Sequence, residues 1–491
     1  MRIHRLIVPL AITCLAAACT DLEVTNPNQR TTDTFWRSEV DAIAALNAAY
    51  GGLQANGVYG RWYHFASDAR TDVATSRSPW TDLQNWTKTV LVTSNFEGNR
   101  DTWIHHYQAI YRANQVITNV PNIEMDEGLK RRIIAEATFL RGLLYYNLAI
   151  LFGNVPILTE PMQAGEFPTT APYEQVIAQV ESDATAAAAD LPLSYTGNDV
   201  GRATRGAALA LKARVQLQQR RWDEAAATFR EVVESGQYEL APTFDENFTL
   251  EGDNNVESVF DVQFGGPEVL AAGTRGLNIA KMAGPPTIGF TDLQPTEWYF
   301  QQFFAETGTP DPRLDATIFW NKPGGMDVHG QPFAERYPTG FKDTPIDKTY
   351  FWKKFGEYWL PQQDWDAAIN YKVIRYADVL LMYAEALNES GNTSEAATYL
   401  NMVRNRVGLP DVPSTLSQAE MRARIEHEML MELGWENKRL PYLKRHDRFN
   451  RATMEPHDPD FAFFVDGKSE LLPIPQSEID VNPNVVQNPG W

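Results

Sequence analysis

Two segments of this chain align with each other without a gap, and each consists of two helix-forming stretches joined by a short turn. The first, ALALKARVQLQQRRWDEAAATFREVV, begins at Ala208, and the second, VLLMYAEALNESGNTSEAATYLNMVR, begins at Val379. The alignment pairs Leu209 with Leu380, Ala213 with Ala384, Ala225 with Ala396, Ala226 with Ala397 and Val232 with Val403. The repeated small residues let two helices approach closely, which favours a fold built from packed helical pairs.

The second helix of the first segment carries an alanine and a phenylalanine four positions apart, at Ala225 and Phe229. This A-x-x-x-F spacing is typical of the second helix of a tetratricopeptide repeat. We therefore predict tetratricopeptide-like helix pairs near residues 203–236 and 375–407, scattered along the chain rather than arranged in a strict array. An ordinary antiparallel helical hairpin at each place is the alternative, because the same small residues would stabilise it.

The rest of the chain divides into helical and irregular parts. Apolar residues at helical spacing predict helices in EVDAIAALNAAYGGLQ, DTWIHHYQAIYRANQVITNV, EGLKRRIIAEATFLRGLLYYNLAILFG and YEQVIAQVESDATAAAADLP. From about residue 251 to 370 the chain is rich in glycine, proline and aromatic residues, which predicts a long loop-rich region over one side of a helical scaffold. We expect a mainly α-helical protein with a single domain over residues 35–491.

The amino terminus has the features of an exported lipoprotein. An apolar run from Leu6 to Ala16 has the length of a signal-peptide core, and small residues lead from it directly to Cys19. We predict a lipoprotein signal peptide over residues 1–18, lipidation of Cys19 and a polar linker over residues 19–34. Plain secretion is the alternative. The only other cysteine, Cys14, lies within the signal peptide, so no disulfide framework is expected.

Charge and missing motifs exclude several classes of function. The chain has 63 acidic and 43 basic residues and a formal net charge of −20, which argues against nucleic acid as a partner. It contains no G-x-S-x-G motif and no glycine-rich phosphate-binding loop. The residue four positions after His427 is Met431 rather than a second zinc-binding histidine. We expect no cofactor and no enzyme activity, although a carboxylate pair of the glycoside hydrolase kind stays open.

Several segments taken together resemble the SusD/RagB family of outer-membrane nutrient-binding lipoproteins. In the family's order they are DAIAALNAAYGGL, WIHHYQAIYRANQVI, AEATFLRGLLYYNLAILFGNVPIL, GRATRGAALALKARVQL, DPRLDATIF, VIRYADVLLMYAEALNESGN and LLPIPQSEIDVNPNVVQNPGW. One departure lies in a run near the last helices, where Met429 replaces the family's arginine, while Glu428, Glu432, Gly434 and Arg439 remain. We expect this change to affect a local ion pair rather than the fold.

The resemblance implies a SusD-like, largely helical fold with tetratricopeptide-like helix pairs as its scaffold. It also implies a lipid anchor in the outer membrane, exposure at the cell surface and a SusC-like TonB-dependent β-barrel transporter as partner. The lipoprotein would capture an oligosaccharide or other glycan and deliver it to that barrel. The alternatives are a peptide ligand in the same role, a surface glycoside hydrolase or protease, and a scaffold that makes only protein contacts.

Aromatic side chains in loops are the candidate ligand contacts. An aromatic ring covers the apolar face of a sugar, while nearby amides and carboxylates bond its hydroxyls. The resemblance implies that these contacts come from early and middle loops, and we predict Trp80, Asp82, Asn85, Trp86 and Trp320 as ligand-binding residues. Packing in the core is the alternative for each of the three tryptophans.

Five further tryptophans divide into two groups. Trp103 and Trp222 lie on predicted helices, so we assign them to packing. Trp352, Trp359 and Trp365 lie in the irregular region, where either role is open.

Overall fold

The computed structural model describes residues 35–89, 92–163, 165–265, 276–356 and 367–491. The predicted signal peptide, Cys19 and the polar linker lie outside these ranges, and so do Trp359 and Trp365. Within the described ranges the protein is mainly α-helical, which confirms the predicted fold class.

The helices of the described ranges differ widely in length, and four short ones follow one another in the loop-rich region. In chain order they are α1 (Glu39–Leu53), α2 (Trp62–Ser67), α3 (Thr81–Thr87), α4 (Glu97–Asn119), α5 (Glu127–Phe152), α6 (Tyr173–Asp190), α7 (Arg205–Gln218), α8 (Trp222–Glu234), α9 (Ile279–Ala283), α10 (Glu297–Gln302), α11 (Leu314–Thr317), α12 (Phe333–Arg336), α13 (Tyr376–Glu389), α14 (Thr393–Arg406), α15 (Gln418–Leu433), α16 (Arg439–Arg445), α17 (Arg451–Met454) and α18 (Gln476–Val481).

The two copies of the repeated sequence form the helix pairs α7–α8 and α13–α14. Ala213, Ala225 and Phe229 are fully buried where α7 and α8 pack together. The two pairs are also neighbours, because α8 packs against α13 and Arg214 of α7 forms an ion pair with Asp378 of α13. Helices α1, α4, α5 and α6 extend the same row ahead of α7, and α15 packs against α13 and α14 at its other end.

Helix α5 is the central core helix. Asp126 caps it by accepting a hydrogen bond from the Leu129 amide at 2.8 Å, and Gly153 ends it with a φ of 71°. Among the described helices it alone is long and apolar enough to cross a membrane, but 94% of its most apolar window is buried inside the protein. Its hydropathy therefore reflects packing on both sides by α4 and α6.

Four short antiparallel strand pairs occur in the described ranges, and two of them link the loop-rich region to other parts of the chain. The pairs are β1 (Ala74–Thr75) with β5 (Gln294–Pro295), β2 (Val155–Pro156) with β3 (Thr170–Ala171), β4 (Ser258–Val262) with β8 (Tyr371–Arg375), and β6 (Ile318–Phe319) with β7 (Phe351–Trp352). The β1–β5 register places Ala74 opposite Pro295 and Thr75 opposite Gln294. This pairing brings an early loop against the middle of the chain, where α9 to α12 interrupt the predicted irregular stretch.

A network of buried ion pairs joins the carboxyl-terminal helices to the loop-rich region. At its centre the Arg375 guanidinium donates to Glu436 at 2.7 and 2.9 Å, to Glu257 at 2.7 Å and to Glu432 at 2.5 Å. All of these side chains are fully buried. The network continues through Arg313, Arg404, Arg406, Lys354, Asp311 and Glu428.

The carboxylates of this network are held in their charged form. Burial by itself would raise the pKa of Glu432, but the guanidinium groups of Arg406, Arg375 and Arg313 hold it well below its usual range. Met429 lies beside this network as a buried apolar residue of α15, and Arg313 from a distant loop donates to Glu428 and Glu432. The arginine missing at position 429 thus leaves these two carboxylates paired.

The buried carboxylate of Asp68 lies outside this network and has no ion pair among the described residues. Its Oδ2 accepts a hydrogen bond from the Asn437 amide at 2.7 Å, and its Oδ1 has no partner among the described residues. Burial raises the pKa of Asp68 from 3.8 to about 7, although the Asn437 hydrogen bond and Lys438 oppose the shift.

We expect this raised pKa to make stability depend on pH above the acid range. Between pH 5 and pH 8 the folded protein gives up a proton that the unfolded chain has already lost. The slope of the free energy of unfolding against pH is therefore negative. The free energy should fall by about 2 to 3 kcal/mol between pH 5 and pH 8, mostly below pH 7. Urea unfolding of Asp68→Asn, whose amide oxygen can still accept from Asn437, should show little of this slope. The exposed variant Asp347→Asn should keep it, and an equal slope in both variants would contradict the assignment.

Candidate functional site

A cleft of about 350 Å³ opens where the β1–β5 pair meets two later loops. Its walls come from Thr75, Arg77, Gln294, Pro295, Thr296, Glu297, Trp298, Asp343, Thr344, Pro345, Lys348, Tyr350, His457, Asp458, Pro459 and Asp460. Four chain segments that are distant in sequence thus contribute to one surface. The cleft combines aromatic rings with several charged side chains, the composition of a site for a polar ligand with apolar faces.

Trp298 is the largest aromatic side chain of the cleft. Thr296 caps α10 by accepting from the Tyr299 amide at 3.0 Å, which places the half-buried Trp298 in the first turn of the helix. The indole lies parallel to the imidazole of His457, with ring centroids 4.0 Å apart and an interplanar angle of 14°. One face of the indole is therefore held by the protein.

The buried ion pair of Asp72 and Arg439 holds His457 in its position against Trp298. Asp72 Oδ2 lies 2.9 Å from His457 Nδ1, and both Asp72 oxygens accept from Arg439, at 2.8 and 2.6 Å. Burial by itself would raise the pKa of Asp72, but Arg439 and His457 hold it well below its usual range. The carboxylate therefore stays charged and fixes His457 beneath Trp298.

Tyr350 also lines the cleft, but its ring is buried. Its ring stacks on Phe300 at 4.0 Å with an interplanar angle of 17°, and Phe300 contacts Trp320 at 5.5 Å. Trp320 is half-buried, and its Nε1 donates to Asp315 at 3.0 Å. Trp320 does not line the cleft but packs behind Phe300, so its predicted contact with a ligand stays a prediction outside this cleft.

The early loop places its predicted residues at different depths. Trp80 is half-buried, and its ring contacts Trp62 at 5.8 Å and Phe96 at 5.4 Å. Asp82 is exposed and Asn85 is half-exposed on α3. An ion pair of 2.5 Å between Lys88 and Asp460 joins the end of this helix to the cleft, so Trp80, Asp82 and Asn85 stay predictions at its border.

The prediction for Trp86 has to be corrected. Its ring is completely buried and contacts Trp62 at 5.9 Å and Phe96 at 5.2 Å, so it cannot touch a ligand in this structure. The physical reason is the period of helix α3. Trp86 lies three residues after Leu83, and both side chains point to the core side of the helix.

Three further tryptophans of the described ranges act in packing. Trp103 is buried against Phe152 at 5.2 Å, and Trp222 stacks on His446 at 5.9 Å, as predicted for both. Trp352, for which the sequence left two roles open, is fully buried and stacks on Trp435 at 4.2 Å.

Sequence reasoning missed the residues that form the cleft itself. Trp298 lies in TEWYFQQFF, where dense aromatic residues resemble a core helix, and His457 lies near the carboxyl end in EPHDPD. Only the aspartates beside His457 and the glutamate beside Trp298 were a signal for a polar surface.

Polar groups surround the indole of Trp298 in the cleft. Lys348 pairs with Glu297 at 2.8 Å, and burial raises the pKa of Asp458, which accepts from the Asp460 amide at 3.0 Å. No group of three or more histidine, cysteine or acidic side chains that could hold a metal ion occurs in the described ranges. The arrangement can stack a sugar ring and bond its hydroxyls, and it needs no metal to do so.

A larger cleft of about 860 Å³ lies elsewhere, between Phe244, Phe248 and Phe319. These rings are buried, and its Arg406 belongs to the internal ion-pair network. Phe244 is already covered by the Lys354 and Arg406 cations at 4.9 and 5.4 Å. The smaller cleft is therefore the better candidate, because Trp298 is partly exposed there and stacks on His457, which Asp72 holds in place.

Comparison with known proteins places this geometry in context. One family model, described as the SusD family, matches residues 257–491, and another, described as starch-binding associating with outer membrane, matches residues 22–217. A SusD-like protein from Formosa agariphila is 24% identical over 542 residues, which cover 99% of this chain and 98% of the relative.

Solved structures are similar over almost the whole chain. A SusD superfamily protein from Bacteroides vulgatus has a TM-score of 0.81 at 24% identity. The alignment covers 93% of this chain and 100% of the chain of that protein. A structure described as a laminarin-binding SusD-like protein has a TM-score of 0.76 at 29% identity and covers 93% of this chain and 100% of its own.

Proposed function

This chain belongs to the SusD/RagB family, and from that premise we propose that it captures an oligosaccharide and delivers it to a SusC-like TonB-dependent transporter. The capture site is the cleft that Trp298 lines. The observation that carries the proposal is the half-buried indole of Trp298, held on one face by His457 and surrounded by carboxylates and cations. An indole held in this way offers its remaining surface to a sugar ring without a further cost in side-chain entropy.

The family and its relatives support the carbohydrate class. One matching family model is described as starch-binding, and one similar structure is described as laminarin-binding. The same family description names association with the outer membrane, which agrees with lipidation of Cys19 and a position at the cell surface. Delivery to a barrel transporter follows from the family role and is part of the proposal.

Binding without turnover is the expected behaviour. The cleft carries Glu297, Asp343, Asp458 and Asp460, but Glu297 and Asp460 each pair with a lysine and Asp458 caps a turn. We propose that these carboxylates bond hydroxyl groups and position the ligand. The protein would then hold an intact oligosaccharide for transport and hydrolyse no glycosidic bond.

A glycan array followed by calorimetry with the purified protein tests this function. We expect saturable binding of at least one oligosaccharide class, with no new reducing ends after prolonged incubation. A random peptide pool should not bind. Binding of the peptides alone would replace the glycan by a peptide ligand, and release of reducing ends would make the protein a hydrolase.

A further inference from the structure

Two cations at one end of the cleft have no carboxylate partner among the described residues. Arg77 is exposed on the cleft wall, and its Nη1 donates to the Thr344 hydroxyl. Lys342 is exposed beside it, and its Nζ donates to the Arg77 carbonyl oxygen. Within the described ranges neither side chain has an aspartate or glutamate oxygen within the 4.0 Å of an ion pair.

The other cations around the cleft are neutralised. Lys348 pairs with Glu297 at 2.8 Å, and Lys88 pairs with Asp460 at 2.5 Å. The protein as a whole carries a formal charge of −20, so carboxylates are abundant. Arg77 and Lys342 thus lie side by side without an ion pair, next to lysines that are paired.

Two of the carboxylates near these cations have other bonding partners. Asp292 is buried and accepts from the Ser78 hydroxyl, and Asp458 accepts from the Asp460 amide. Asp343 is exposed on the loop that carries Lys342, and it would repel an anion. Burial lowers the pKa of Lys342, the Asp292 carboxylate opposes that shift, and the Arg77 charge adds to it.

We propose that Arg77 and Lys342 bind an anionic group, a carboxylate or a sulfate ester, on a sugar of the glycan. This inference rests on the proposed function and narrows its substrate class to acidic oligosaccharides. The planar guanidinium of Arg77 matches the two oxygens of either group, and Lys342 adds a second positive charge. The anion would also remove the repulsion between the two cations.

The test compares three probes of equal length by calorimetry: neutral laminarihexaose, hexamannuronate for the carboxylate and a sulfated galactan hexamer for the sulfate. We expect at least one acidic hexamer to bind more tightly than laminarihexaose, and its affinity to fall as sodium chloride rises from 50 to 500 mM. Arg77→Gln should weaken that hexamer about tenfold or more, because a charge-assisted bidentate bond is lost. Asp343→Asn should strengthen it.

The matched control is Arg131→Gln on α5. It removes the same charge from a side chain that is 61% exposed and lies 3.6 Å from Asp190, and it should leave all affinities unchanged. Tighter binding of laminarihexaose than of both acidic hexamers would overturn the anion assignment and leave glycan capture intact. Equal binding of the acidic hexamer by wild type and Arg77→Gln would also overturn it. If none of the three probes nor any array glycan bound, the proposed function itself would fail.

Discussion

Replacement of Arg375 by methionine is expected to lower the free energy of unfolding by about 3 to 5 kcal/mol, because it leaves buried carboxylates without their cation. Arg375 bonds three glutamates, Glu257, Glu432 and Glu436, and all four side chains are completely shielded from water. Methionine fills much of the space but supplies no positive charge. Chemical denaturation monitored by circular dichroism, at pH 7 and constant ionic strength, measures the change.

Arg205→Met on α7 is the matched control for this experiment. Arg205 is 49% exposed and lies 3.6 Å from Glu231, so its loss should change the free energy of unfolding by less than about 1 kcal/mol. The stabilisation by this network also depends on pH. Because the pKa of Glu436 is lowered to about 2, its contribution is present above pH 5 and is lost as pH falls toward 2. An Arg375→Met protein as stable as Arg205→Met would show that the network contributes little.

Replacement of Trp298 by alanine is expected to weaken glycan binding at least about thirtyfold, the effect of losing about 2 kcal/mol at a central aromatic contact. Trp298 is the one tryptophan that lines the cleft in the described residues, and His457 holds its indole parallel at 4.0 Å. Calorimetry with the best oligosaccharide from the array measures the loss. Thermal unfolding of the variant shows whether the fold is kept.

Trp222→Ala is the matched control, because Trp222 is also half-buried and stacks on a histidine, His446, at an interplanar angle of 19°. It lies on α8 outside the cleft, so binding should stay within twofold of wild type. His457→Phe keeps a flat ring under Trp298 and should bind better than His457→Ala. If Trp298→Ala and Trp222→Ala bound the glycan equally well, the cleft would not be the capture site.

Local sequence patterns predicted the scaffold but none of the residues that line the cleft. The 3.6-residue period and the paired alanines act within a few turns of one helix, so α7, α8, α13 and α14 could be recognised from neighbouring residues. Polar and aromatic loops were also recognised, yet Trp80 and Trp320 lie beside the cleft and Trp86 lies in the core. The local sequence does not distinguish an exposed tryptophan from a buried one, because burial depends on residues far away in the chain.

The cleft depends on contacts between distant segments. The β1–β5 pair, the Arg77–Thr344 hydrogen bond and the Asp72–His457 contact each join residues more than 200 positions apart in the chain. No pattern within a window of the sequence specifies such a pairing. The same is true of the buried network, in which Glu428 and Glu432 share a face of α15 but receive Arg313 from another region.

The sequence by itself determined the helical scaffold, the repeated helix pair and the family resemblance, because these depend on residue spacing along single helices and on order along the chain. The tertiary structure alone decided which aromatic rings meet the solvent and which charges are paired. Trp298 faces a cleft because His457 and Asp72 hold it there. Arg77 and Lys342 have no ion pair among the described residues, and the nearby Asp292 and Asp458 bond other groups. Both outcomes follow from the packing of distant loops on the scaffold.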